Sequence, residues 1–278
     1  MSAFINPLHG SACEILRGDP VMASLIEAAG PFALRPSRLR SPFESLVRAI
    51  AHQQLNGTAA ERILARCCAL GGGPELPTPE RLLELDEQQL RAVGFSYAKV
   101  AALKDLAAKT LAGVVPALQE LHGLPDLAII ERLSAVRGVG RWTVEMMLIF
   151  QLERPDVLPV DDFGVRNGFR LAYGLRGMPL PRALAEYGER WKPYRSVAAW
   201  YLWRAVDLSR AGRLPRCRRP PRIAVRAPIA KTARAQAPVA PGRADSSRRA
   251  KRAAPPKLSR RKRPQRASVR ARAASGAR

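Results

Sequence analysis

The sequence predicts an all-α body followed by a disordered basic tail, on three observations. Apolar residues recur at helical spacing in one segment after another, with capping residues at their starts. No convincing alternating strand run and no βαβ rhythm interrupts them. Composition then breaks near residue 210: all sixteen aromatic residues lie before position 211, and residues 211–278 hold 22 Lys and Arg against the single acid Asp245. Of the net charge of +24, the tail therefore carries +21 and residues 1–210 carry +3. A body of that length can bury a core, whereas the tail has too little apolar surface to fold alone.

Each helix has a local reason. Ser41-Pro42-Phe43-Glu44 reads as a capping box with proline at the first helical position, and Phe43, Leu46, Val47 and Ile50 follow on one face. Gly71-Gly72-Gly73-Pro74 marks a loop. Asp86 opens a helix carrying Leu90 and Val93, with Gly94 as its C-terminal stop. Ser96 caps the helix of Val100, Leu103, Leu106 and Leu111. From Leu124 to Phe150 two helical patterns flank a Gly-Val-Gly break. Residues 176–181 form another loop, and Trp191 to Leu208 is aromatic-rich and mostly helical.

Several classes are excluded. No apolar run approaches the ~18 residues that suggest a membrane span. The N-terminus lacks the basic start and apolar stretch of a secretory signal. Cys13, Cys67, Cys68 and Cys217 show no CxxC spacing, so neither zinc nor a disulfide scaffold is expected. An intracellular, cytoplasmic protein is the expectation.

The most informative stretch is 133–148, LSAVRGVGRWTVEMML. An apolar helix end meets Gly138-Val139-Gly140, and a second helix starts at once with Arg141, Trp142 and Thr143. Flanking glycines permit positive φ, and turn amides at a helix N-terminus favour an anion. An ordinary interhelical turn would look the same locally. Downstream, Asp161 and Asp162 follow a short apolar segment and precede a new helix. Either could serve simply as an N-cap.

The hairpin resembles that of the helix-hairpin-helix (HhH-GPD) DNA glycosylase superfamily, h-P-G-h-G-x-x-T, with Arg137 where that pattern has proline. The resemblance implies a two-lobed helical body in which Gly138, Gly140 and Thr143 hold a DNA phosphate. The carbonyls of Ser134, Val136 and Val139 would help coordinate a structural Na⁺ or K⁺. It also chooses between the aspartates: the family's essential Asp is followed three residues later by Val or Ile and then a basic residue. Asp162, with Val165 and Arg166, fits that pattern. Its carboxylate would stabilise the oxocarbenium character left as an N-glycosidic bond breaks.

Within the superfamily, FESLVRAIAHQQLNGTAAERI at 43–63 and YGERWKPYRSVAAWYLW at 187–203 resemble the DNA-3-methyladenine glycosylase II type. Members that also cut the strand use a lysine where this chain has Trp142, so base removal without lyase chemistry is expected. Only Cys217 lies beyond the Asp, which leaves no ligand set for an iron–sulfur cluster. No cofactor is expected for catalysis. Trp142 and Trp203 would line the base cleft, offering electron-rich faces to cationic alkylated purines. Met146 replaces a third aromatic of the bacterial type. In HQQLNG, Gln54 and Leu55 would be the wedge that fills the gap left by a flipped nucleotide. His52 would be structural. Trp191 and Tyr194 would pack behind the Asp helix, and Arg195 would either orient that region or form an exposed ion pair.

The expected function is a monomeric, monofunctional glycosylase. It would excise 3-methyladenine and 7-methylguanine from double-stranded DNA by base flipping, with no membrane partner. A non-catalytic helix-hairpin-helix DNA-binding protein, or a glycosylase for another damaged base, is the alternative. The basic tail would tether the protein to DNA, through the nucleoid, or in the nucleus if the source is eukaryotic.

Overall fold

The computed structural model describes residues 9–37, 41–217 and 221–225. Thirteen α-helices occur among them, with a short 3₁₀ helix (Glu189–Trp191) before the last: α1 (His9–Leu16), α2 (Pro20–Ala29), α3 (Pro42–His52), α4 (Gly57–Leu70), α5 (Pro79–Glu84), α6 (Glu87–Ala92), α7 (Tyr97–Leu111), α8 (Leu118–His122), α9 (Asp126–Ser134), α10 (Arg141–Phe150), α11 (Phe163–Ala172), α12 (Pro181–Gly188) and α13 (Arg195–Arg210). Among the described residues β-structure is confined to an isolated bridge between Pro179 and Val225. None of these helices is long and apolar enough to cross a membrane.

Capping explains most of the starts. Asn56, Thr78, Asp86 and Ser96 each accept a backbone N–H in the first turn of the helix that follows. Asp86 and Gln89 form a reciprocal box. The box expected at 41–44 is only half made. Ser41 Oγ accepts the Glu44 N–H at 3.1 Å, but the Glu44 carboxylate turns to Arg48 instead. Gly94, with φ +113, stands just past the end of α6, where a side chain would be strained.

Two hydrophobic cores make the two lobes. The first is built from α3 to α10, around Leu46, Ile50, Leu103, Leu133 and Leu148. The second gathers α1, α2, α11, α12 and α13 around Phe169, Tyr173, Trp191, Tyr201 and Leu202. Trp203 packs against both. Within the second lobe α11 and α13 pack closely enough that Gly168 lies against the Leu202 backbone.

The chain beyond Arg210, which composition assigned to the tail, does not leave the body there. Leu214 and Ile223 rest against the second core, and the Leu180 N–H donates to the Ala224 carbonyl at 3.0 Å. The packed body therefore reaches Val225. The expected disorder of the tail falls on residues 226–278, outside the described residues.

Candidate active site

The hairpin joins α9 to α10 through a tight turn. The Val139 N–H returns to the Val136 carbonyl at 3.0 Å, and Gly138 has φ +76, a conformation that favours glycine. Val139 is buried in the first core. Gly140 is the N-cap of α10 and offers no side chain to the helix start. Among the described residues, the Gly138 and Gly140 N–H groups have no protein acceptor. The helix dipole therefore points into open amides, the physical condition for anion binding. Thr143 lies in the first turn of the same helix and is mostly buried. Gln53, at the C-terminal cap of α3, donates its Nε2–H to the Gly138 carbonyl at 2.8 Å.

Asp162 is the N-cap of α11 and is also bonded well beyond that role. Its Oδ1 accepts the Val165 N–H at 2.7 Å and the Trp203 indole N–H at 2.9 Å. Its Oδ2 accepts the Trp142 indole N–H at 2.8 Å. One carboxylate thus ties the first turn of α10 to α11 and α13, that is, one lobe to the other. Asp161 is exposed. Gly164 makes the arrangement possible, because a Cβ there would lie 2.8 Å from Trp203 Cδ1 and 3.0 Å from Asp162 Oδ1. Nothing in the spacing of the sequence singled out Gly164.

Aromatic side chains stand around the carboxylate. Trp142 is 47% exposed and Trp203 half-buried, both turning their N–H edges to the carboxylate. Phe150, missed in the sequence, stacks on Trp203 with centroids 5.8 Å apart. Met146 opens onto a cavity of about 230 Å³ between α3 and α10, shared with Ser45, His52, Met147 and Phe150. Phe163, directly after Asp162, is 71% exposed, which is unusual for so large an apolar ring. Its exposure on the lip of the site could not be read from an aromatic residue at a helix start.

A second carboxylate lies nearby. Glu145 is 2% exposed and accepts from Arg141 Nε at 2.8 Å. Burial pushes its carboxyl above the usual range, opposed by the Arg141 bond and charge and reinforced by Asp161 and Asp162.

Gln54 and Leu55 sit together on the loop between α3 and α4, both exposed, with Gln54 at φ +58. The loop is fixed at its base by the Leu55 N–H on the His52 carbonyl at 3.2 Å. His52 itself pairs with Glu61 at 2.9 Å. Arg195 forks onto Asp156 at 2.8 and 2.9 Å and reaches Glu189, so it joins the start of α13 to the loop before Asp162. Trp191 is fully buried in the second core.

A larger cavity, about 500 Å³, borders Asp19, Tyr173, Tyr187 and Cys217 and shares no residue with this site. Asp19 accepts from Tyr173, Tyr187 and Trp191 and caps α2, so its charge is already used to hold the second lobe. Burial and the Asp19 charge push the Tyr187 hydroxyl up to about 12.

An open-amide hairpin on one lobe, facing an indole-held carboxylate on the other, defines a helix-hairpin-helix base-excision protein. The chain belongs to the HhH-GPD superfamily of base excision DNA repair proteins, whose family model matches residues 47–193. It is 40% identical over 188 residues to DNA-3-methyladenine glycosylase 1 of Schizosaccharomyces pombe, a match covering 66% of this chain and 82% of that one. A solved structure of the S. pombe 3-methyladenine DNA glycosylase in complex with abasic DNA superposes with a TM-score of 0.64 at 39% identity. That match covers 72% of this chain and 98% of the other. The DNA-3-methyladenine glycosidase of Bacillus halodurans matches with TM-score 0.64 and 35% identity, over 71% and 89% of the two chains.

Proposed function

We propose that this chain is a DNA glycosylase that hydrolyses the N-glycosidic bond of alkylated purines, 3-methyladenine and 7-methylguanine among them, without cutting the strand. The observation that carries the reading is the setting of Asp162. A carboxylate held by three donors from α10, α11 and α13 is oriented in advance, and reorientation during the reaction is small. Such a group stabilises positive charge developing on a deoxyribose, and it can orient the attacking water.

The substrate does part of the work. Alkylation at N3 or N7 leaves the purine cationic and a good leaving group, so electron-rich indole faces matter more than a general acid. Trp142 and Trp203 supply those faces beside the carboxylate. The amides of Gly138 and Gly140, with Thr143, would hold a phosphate of the same strand and bring the flipped sugar to Asp162. Gln54 or Leu55 would fill the vacated stack. Trp142 cannot form an imine, which supports base removal without lyase chemistry.

The carbonyls of Ser134, Val136 and Val139 are an all-oxygen donor set without a carboxylate, suited to a hard monovalent cation. Ser134 Oγ, buried with no hydrogen-bond partner among the described residues, is an unused oxygen at the same place. A bound Na⁺ or K⁺ would brace the turn and supply no chemistry to the bond-breaking step.

The test is release of free methylpurine from methylated duplex DNA by the full chain and by Asp162→Asn. Wild-type release that is lost in the variant supports the reading. Binding without release by either protein favours a non-catalytic DNA-binding protein, and equal release by both removes Asp162 from the chemistry.

A further inference from the structure

Arg137 occupies the second position of the Val136–Val139 turn. With the Val139 N–H on the Val136 carbonyl and Gly138 at φ +76, the turn has the form of type II. Its second position takes φ near about −60° and suits proline, which would stiffen the turn and carry no N–H. Arg137 keeps its N–H, and the structure shows where it goes: to Asp105 Oδ2 at 2.6 Å. The same oxygen accepts Lys109 Nζ at 2.8 Å, and Lys109 also donates to the Ala135 carbonyl at 2.6 Å. One turn earlier on α7, Ala102 backs the glycine, since a Cβ at Gly138 would lie 3.3 Å from the Ala102 Cβ. Ala102, Asp105 and Lys109 therefore form one stripe along α7, and the phosphate-binding turn lies on it. Burial acts to raise the Asp105 carboxyl, but the Arg137 amide, Lys109 and the Arg137 charge outweigh it and hold it below the usual range.

We propose that Asp105 is a positioning residue for the DNA phosphate: through the Arg137 N–H it supplies the stiffness that proline would give this turn. The proposal rests on the reading that the amides of Gly138 and Gly140 hold a phosphate. Asp105 lies 32 positions before Arg137 in the chain and has no part in the chemistry at Asp162.

The test is a double-mutant cycle in the full chain. Asp105→Ala, Arg137→Pro and the double variant are titrated with a duplex carrying a tetrahydrofuran abasic analogue, with Thr143→Ala as a reference for phosphate contact. Asp105→Ala is expected to weaken binding about tenfold, the scale of one charge-assisted hydrogen bond. Release of methylpurine at saturating DNA should fall as well, by less than the binding does, because the phosphate grip also brings the sugar to Asp162 while the bonds to Asp162 itself are untouched. In the Arg137→Pro background the same change should cost less than about threefold, because proline has no N–H to satisfy. Equal weakening in both backgrounds would overturn the role of the N–H. Asp105→Ala binding like wild type while Thr143→Ala is weakened would overturn the positioning role alone. If both bind like wild type, the phosphate reading itself has failed. Should Asp105→Ala not fold, amide exchange of Arg137 in the wild-type protein decides. Slow exchange is expected, and exchange at the rate of an open amide overturns the proposal.

Discussion

Gly168 of α11 lies so close to α13 that a Cβ built on it would sit 1.9 Å from the Leu202 carbonyl oxygen. Since the obstacle is backbone, no side-chain rotation relieves it. The neighbouring residue Trp203 carries the indole that holds Asp162, so the close approach sets the distance between carboxylate and indole. Gly168→Ala should therefore lower stability by about 3 kcal/mol or more, as overpacking at a helix contact does. Denaturant unfolding measures it, and a loss under about 0.5 kcal/mol would mean the helices can part freely.

Asp162 has two roles that substitutions separate. Asn keeps one oxygen for the Val165 and Trp203 N–H groups but sets its NH2 against the half-exposed Trp142 indole N–H. Asp162→Asn should therefore lower the melting temperature only slightly and keep DNA binding. It should lose base release by about 10²–10³-fold, the scale of removing one preorganised electrostatic group. Asp162→Ala should lose the chemistry and in addition about 1 kcal/mol of stability through the missing cap.

Glu145 gives a pH signature. Its folded carboxyl lies above the ordinary value of 4.5, so the native state holds the proton more tightly than the unfolded chain. Its contribution to stability is greatest below 4.5 and declines as pH rises through the raised value. The stability of wild type minus that of Glu145→Gln should therefore fall with increasing pH across that window. A difference that rises instead would contradict burial as the dominant influence on Glu145.

The two ends of the basic region should behave differently. Truncation after Arg210 removes Leu214, Ile223 and the Ala224 carbonyl that Leu180 uses, and should destabilise the second lobe. Truncation after Ala230 leaves those contacts and removes 16 Lys and Arg against one acid. It should keep base release at low salt while flattening the salt dependence of DNA binding. A salt slope unchanged by the second truncation would show that the tail does not contact DNA.

With Trp142 in place of a Schiff-base lysine, the abasic product should persist until alkali or an endonuclease is added. Borohydride should trap no protein–DNA adduct, and a trapped adduct would point to another amine in the site.

How much of this was legible beforehand depended on sequence distance. The 133–148 turn and the Asp161-Asp162 pair are local, so glycine spacing and capping chemistry marked a turn and a cap, and the family resemblance then chose Asp162 and suggested their roles. The bonds that complete the site are not local. Gln53 reaches Gly138 across 85 positions, Asp105 reaches Arg137 across 32, and Trp203 reaches Asp162 across 41. Phe163, Phe150 and Gly164 carry no pattern that separates site residues from core or cap residues. The boundary at 210 came from composition, which records charge but not whether a proline-rich segment lies along a helix.

Helix α7 lies outside the candidate site, yet both the approach to the Gln54–Leu55 loop and the hairpin are fastened to it. Lys99 Nζ takes the Ala51 carbonyl at 2.7 Å near the end of α3, just before the Gln54–Leu55 loop, and Asp105 and Lys109 take the hairpin. The interval between the Gln54–Leu55 loop and the 138–143 turn is thus set by one helix of the fold. Such a frame has the form of a fixed gauge. If the loop and the turn meet DNA as proposed, a duplex whose stacking a damaged base has already weakened would bend to that spacing at lower cost.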